Sequence, residues 1–186
     1  MNKNDFRKYL YQIGLPNNFS LLNLCFLQES LFQFTHKEGE ELLLSGINVP
    51  WIYFGMLFST FCWHIEDMYL YSVNYLIEGK PKIWYSVSTK DKEKVDNYIK
   101  NKYYAQMIKD PSLIYNLRIH IDPLELLKNG IQVYKTVQNP GEIVVTLPKG
   151  YHMGFSLGLN KAEAVNFAVS ITILIYIEHK VGSIWT

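Results

Sequence analysis

From residue 51 onward, apolar and aromatic residues come in short runs separated by turn residues. Residues 58–66, 69–76 and 82–87 are rich in aromatic and β-branched side chains, and the pattern predicts three strands. Glu78-Gly79-Lys80-Pro81 reads as the turn between the second and third. Residues 88–129 break this rhythm. They are rich in lysine and end in Leu124-Glu125-Leu126-Leu127-Lys128-Asn129-Gly130, which predicts a helical insertion with Gly130 as its stop. Strands are predicted again over 133–138, 142–147, 152–157 and 162–168. Asn139-Pro140-Gly141 and Pro148-Lys149-Gly150 supply turns between them.

The first 45 residues read differently. Residues 5–13 and 20–34 look helical or mixed, with Leu21, Leu22, Leu24, Leu27 and Leu31 near helical spacing. Residues 36–45 are charged and read as a surface loop with a short helix. Gly46 to Pro50 is a turn signal before the aromatic run Trp51-Ile52-Tyr53-Phe54. The apolar, β-branched segment 169–177 predicts a terminal strand or irregular tail. Short strands on both sides of a helical insertion indicate a mainly β fold, a sandwich or jelly roll with helical decoration. The expected organisation is an N-terminal support segment over 1–45, a jelly roll over 46–168 with its insertion at about 89–130, and a tail over 169–186.

Composition narrows the chemistry. A chain of 186 residues with 48% hydrophobic residues suits one domain with a sizeable core. A net charge of +1 gives no long-range attraction to nucleic acid or membrane. Two cysteines, Cys25 and Cys62, exclude a Cys-rich zinc module and a disulfide scaffold. The segment 169–177 is shorter than the ~20 residues a membrane helix needs, and the N-terminal residues carry no secretory pattern.

One constellation stands out: His64 and Glu66 in Phe-Cys-Trp-His-Ile-Glu-Asp, then His152 in Gly-Tyr-His-Met-Gly-Phe. Residues i and i+2 of a strand point to one face, so His64 and Glu66 can reach one ion together. His152, just after a turn, can face them across the mouth of a two-sheet barrel. Two histidines and one carboxylate are the ligand set of non-haem iron(II) oxygenases, which leaves one face of the metal open. As bare spacing the pattern also fits ordinary core histidines, and imidazole suits several metals.

The residues around it resemble a known family. Val49-Pro50-Trp51-Ile52-Tyr53-Phe54-Gly55-Met56, Phe61-Cys62-Trp63-His64-Ile65-Glu66-Asp67, Tyr71-Ser72-Val73-Asn74-Tyr75-Leu76 and Gly79-Lys80-Pro81-Lys82-Ile83-Trp84-Tyr85 come in order. Gln138-Asn139-Pro140-Gly141-Glu142, Pro148-Lys149-Gly150-Tyr151-His152-Met153-Gly154-Phe155 and Ala162-Glu163-Ala164-Val165-Asn166-Phe167 follow. Over about two thirds of the chain this resembles the Jumonji C (JmjC) catalytic domain of histone lysine demethylases.

The resemblance implies a double-stranded β-helix, the cupin-like jelly roll. It implies Fe(II) held by His64, Glu66 and His152, with 2-oxoglutarate and O2 as co-substrates. Lys82 matches the lysine that meets the far carboxylate of 2-oxoglutarate. Ser72 and Asn74 match polar contacts to it, and Phe61 and Trp84 match aromatic walls. Tyr53, Glu66, Ala164 and Val165 would line the pocket for the methylated lysine. The implied reaction is oxidative demethylation with release of formaldehyde, succinate and CO2. The implied partners are a methylated histone H3 tail and chromatin complexes, in the nucleus.

Two departures matter. The family's lysine-9/36 branch often carries a Cys/His zinc site beside the barrel. Here Asn116 and Leu117 stand in the insertion, so no structural zinc is expected. Ala164-Val165 occupy positions where that branch tends to have hydroxyl residues. Both lean toward the H3 lysine-4 branch, although Tyr85-Ser86-Val87 reads more like the other. No residue clearly matches the tyrosine that usually accompanies Lys82; Tyr9 and Tyr11 are candidates by location alone. Two other readings use the same barrel: a protein hydroxylase, and a catalytically silent binding or scaffold module.

Overall fold

The computed structural model describes residues 10–14, 36–37, 40–41, 49–110 and 119–167. The early strands are β1 (Leu10–Gly14), β2 (His36–Lys37), β3 (Glu40–Glu41) and β4 (Trp51–Gly55). Then come β5 (Thr60–His64), β6 (Tyr71–Gly79) and β7 (Lys82–Val87). Helices α1 (Lys92–Lys102), α2 (Tyr104–Lys109) and α3 (Pro123–Lys128) follow. The chain returns through β8 (Val133–Gln138), β9 (Glu142–Thr146), β10 (His152–Ser156) and β11 (Asn160–Phe167).

Two antiparallel sheets result, one in the order β1-β9-β6-β11-β4 and one in the order β5-β10-β7-β8. From β4 to β11 the chain changes sheet at every connection except β7 to β8, where the helices are inserted. That alternation makes a jelly roll, and the interior between the sheets is where a site can be walled on two sides.

Strand alternation decides what faces that interior. On β6, Val73 and Tyr75 pack with Ile143 and Val165 on the outside of the five-stranded sheet. The residues between them, Ser72 and Asn74, therefore face inward. The outside of the four-stranded sheet is covered by the insertion. Val95 and Ile99, one turn apart on α1, join Leu126 of α3 and Ile119 and Ile121 against Trp63, Val87, Val133, Tyr151 and Met153. Each such side chain contributes roughly 1.5–3 kcal/mol by leaving water. The N-terminus of α3 is fixed by the Asp122 side chain, which accepts from Leu124 N, and by Pro123 in the first turn. Past its end Gly130 takes φ +73°, as a helix stop requires.

The predicted strands match those observed within a few residues. Two N-terminal readings differ. Leu10–Gly14, within a segment read as helical or mixed, is a strand paired in register with Glu142–Thr146. Pairing along the β9 edge outweighs local spacing there. Within the segment read as a loop with a short helix, β2 and β3 pair as a small hairpin. Residues 20–34, 111–118 (with Asn116 and Leu117) and 168–186 lie outside the described residues.

Candidate metal centre

His64 is the last residue of β5, and its direct partner across the antiparallel pair is His152, the first residue of β10. The two imidazoles are neighbours in one sheet, not partners across the mouth. Glu66 lies just beyond the end of β5. Its backbone stays extended (φ −65°, ψ 146°), so it remains on the His64 side. The ring nitrogens and one carboxylate oxygen of His64, Glu66 and His152 all lie within 4.8 Å of one another. Glu66 Oε1 is 3.2 Å from His152 Nε2 and 3.8 Å from His64 Nε2.

Hydrogen bonds orient each ligand. His64 Nδ1 is 2.8 Å from the Cys62 carbonyl, and His152 Nδ1 is 3.0 Å from the Gly150 carbonyl. A carbonyl accepts, so each ring donates from Nδ1, and Nε2 is the nitrogen left to bind a metal. Asn166 Nδ2 donates to Glu66 Oε2 at 2.7 Å and to the Tyr71 carbonyl at 3.2 Å, leaving Oε1 aimed at the histidines.

Charge states suit a cation. Burial and the neighbouring His152 push the His64 imidazole down to about 4, against the opposing pull of Glu66 and the Cys62 carbonyl. Burial favours a neutral Glu66. The hydrogen bond and charge of His152, the charge of His64 and the Asn166 bond outweigh it and hold the carboxyl at about 2. A neutral imidazole and an ionised carboxylate are what a metal needs.

A bulge shapes the wall beside the ligands. His152 pairs with His64 and Gly154 with Phe61, so β5 carries one extra residue opposite Met153. That brings Phe61 and His64 to one face although they are three apart. The Phe61 ring lies 4.6 Å from Trp84 and 6.4 and 6.5 Å from the two imidazoles, centroid to centroid. It passes directly over Gly154, where a methyl group would meet Phe61 Cζ at 2.5 Å.

Deeper on the same face of β7, two residues from Trp84, Lys82 is only 7% exposed. Burial pulls its ammonium down to about 8. Among the described residues no carboxylate pairs with it. A buried cation without a counter-ion fits an anionic ligand.

A family model described as "JmjC domain, hydroxylase" matches residues 51–167. The chain belongs to the JmjC family. It is 43% identical over 152 residues to "Lysine-specific demethylase JMJ703" of Oryza sativa subsp. japonica. It is 41% identical over the same length to "Putative lysine-specific demethylase JMJ16" of Arabidopsis thaliana. In each case the match covers 82% of this chain and 12% of the relative.

Most residues expected of the JmjC pocket are brought to the interior. Ser72 shares a 2.6 Å hydroxyl contact with Thr146 and is the Cα partner of Asn166. Asn74 accepts from Gln138 Nε2 through its backbone carbonyl at 2.9 Å and through Oδ1 at 3.3 Å. Ala164 alternates with Asn166 and pairs with Asn74 and Trp51, so it too faces inward. Tyr53 is 42% exposed at the rim. Burial and then the charge of Glu66 raise its hydroxyl pKa, so Tyr53 lies within electrostatic reach of the ligand set. Val165 is the exception. It packs with Val73, Tyr75 and Ile143 on the opposite face, because a strand sends neighbouring side chains to opposite sides.

Two contributors escaped the sequence reading. Asn166, which steers Glu66, sits two residues beyond Ala164, so strand alternation could have found it. Gln138 is fully buried and links the sheets. Its Oε1 accepts from Trp84 Nε1 at 2.8 Å, while its Nε2 reaches Asn74 and the Glu142 carbonyl. A glutamine beside Asn-Pro-Gly carries no sequence signal for burial. Of the two tyrosine candidates, Tyr9 lies outside the described residues. Tyr11 is the Cα partner of Val145, whose side chain packs on the outer cluster.

Proposed function

We propose that this JmjC domain is an Fe(II)- and 2-oxoglutarate-dependent demethylase of methylated lysine in histone H3, acting in the nucleus. The observation that carries the reading is the triad itself: two Nε2 atoms and Glu66 Oε1 converge, each steered by a hydrogen bond from its other end. The names of the two plant relatives supply the reaction class. Ala164, a residue without a hydroxyl at the inward position, supports lysine 4 over lysine 9 or 36.

Iron(II) with 2-oxoglutarate and oxygen supplies the oxidative chemistry that releases formaldehyde, succinate and CO2. The chain's own residues bind and shield. His64, Glu66 and His152 would hold the metal. Lys82 takes the far carboxylate of 2-oxoglutarate, with Asn74 and Ser72 offering polar contacts along its length. Phe61 and Trp84 keep water from the bound acid. Tyr53 and Glu66 receive the methylammonium, because an aromatic face and a carboxylate edge favour a soft cation. The raised hydroxyl pKa of Tyr53 keeps it neutral beside Glu66.

The test is oxygen-dependent turnover with H3 peptides methylated at lysine 4, 9 or 36, measuring succinate and formaldehyde together. The proposal expects both products in equal amount and most from the lysine-4 peptides. Succinate with a peptide one oxygen heavier and no formaldehyde would make it a hydroxylase. Absence of succinate with every peptide would leave a silent binding module.

A further inference from the structure

Lys82 and Ser156 are direct Cα partners on β7 and β10. Side chains so paired start about 5 Å apart. Ser156 lies four residues from His152 on the same face of β10, as Lys82 lies four from Ser86 on β7. Its hydroxyl lies in the interior: a methyl group on Gly55, in the opposite sheet, would meet Ser156 Oγ at 2.5 Å. Ser156 is 2% exposed, and among the described residues its hydroxyl has no hydrogen-bond partner.

A carboxylate has two oxygens, and a buried one needs donors at both. Lys82 is a compact charge that satisfies one well. The other polar groups at this end are already committed. Gln138 is occupied at both Oε1 and Nε2. Ser59 Oγ accepts from Met56 N and donates to the Met56 carbonyl. Asn160 Nδ2 donates to the Lys80 carbonyl, and its buried Oδ1, which has no partner, is an acceptor that a carboxylate does not approach. Lys82 and Ser156 stand side by side at this end as donors without a partner among the described residues.

We infer that Ser156 is the second donor to the distal carboxylate of the 2-oxo acid, and so a specificity residue for a five-carbon dicarboxylate. This rests on the co-substrate reading above. The hydroxyl donates along the edge of the carboxylate that Lys82 does not fill. Its small size leaves the acid room to reach the metal ligands from that anchor.

The experiment measures binding by calorimetry without oxygen, with Ni(II) in place of iron. The ligands are 2-oxoglutarate and 2-oxobutyrate, which lacks the distal carboxylate. Ser156→Ala should weaken 2-oxoglutarate roughly tenfold, the scale of one charge-assisted hydrogen bond, and leave 2-oxobutyrate and Ni(II) affinity unchanged. Ser156→Cys, close in volume but a weak donor, should lose the same preference. Lys82→Met should abolish it. Wild-type preference retained in both Ser156 variants, with Lys82→Met losing it, would overturn this inference and leave the co-substrate reading standing. A wild-type protein that does not favour 2-oxoglutarate over 2-oxobutyrate would overturn both.

Discussion

His64 and His152 sit directly opposite each other on neighbouring antiparallel strands, with ring centroids 4.2 Å apart. Each ring is held by a carbonyl two residues earlier in the chain, Cys62 for one and Gly150 for the other. The same local device on both strands turns both Nε2 atoms toward Glu66. Burial, and next the neighbouring His152, disfavour protonation of the His64 imidazole, which suits it as a neutral ligand.

Asn166 is the lever on the third ligand. Its amide holds Glu66 Oε2 and so fixes which carboxylate oxygen faces the histidines. Asn166→Ala should weaken metal affinity roughly tenfold, the lower end of what losing such a supporting bond costs. Melting in the absence of metal should change far less. Anaerobic titration with Co(II), followed by its absorption bands, reads the affinity directly. Unchanged affinity in Asn166→Ala would show that Glu66 is positioned by other groups.

Gly154 is required by packing. A methyl group there would lie 2.1 Å from the Ile83 carbonyl and 2.5 Å from Phe61 Cζ. The carbonyl belongs to the paired strand and cannot yield cheaply, so the Phe61 ring and β10 must shift. Gly154→Ala should destabilise the fold by about 1–3 kcal/mol, as overpacking does. It should also weaken 2-oxoglutarate binding, because the aromatic wall moves. Urea unfolding and ligand titration test the two effects separately.

Lys82 sets a conflict between stability and binding. Its pKa falls from 10.5 unfolded to about 8 folded because burial penalises the charge. Below about pH 8 both states hold the proton and the full burial cost is present. Between about 8 and 10.5 the unfolded chain binds more protons, so stability rises with pH and the cost disappears. Lys82→Met should therefore raise the melting temperature of the ligand-free protein at pH 7, and that gain should shrink as the pH approaches 10.5. Wild-type affinity for 2-oxoglutarate should fall as the pH rises above 8. A Lys82→Met variant less stable than wild type at pH 7 would mean that the ammonium already has a partner.

Much of this site is written in strand alternation and turn residues. The strands from β4 to β11 carry aromatic or β-branched runs closed by Gly and Pro turns, so their order and approximate ends are legible. So are His64 and Glu66 as a same-side pair. The bulge opposite Met153 is not. Nothing in Thr-Phe-Cys-Trp-His marks which residue is extra, so the approach of Phe61 to the imidazoles becomes visible only once β5 is paired with β10. Val165 shows the converse. Family order placed it in the substrate pocket, and plain alternation with Asn166 puts it on the outer face. Gln138 was illegible because its role depends on three partners from β6, β7 and the start of β9. Near Leu10 the residues read as helical or mixed, and β1 is a strand there because an edge strand takes its structure from the sheet it joins.

If His64, Glu66 and His152 form one metal centre, each is needed to bind iron. The most direct test is anaerobic Fe(II) titration of the wild type and of His64→Ala, Glu66→Ala and His152→Ala, each checked for folding by circular dichroism. One Fe(II) per wild-type chain is expected, with a loss of binding of at least about a hundredfold in each folded variant. Variants that bind iron as the wild type does, or a folded wild type that binds none, would contradict it.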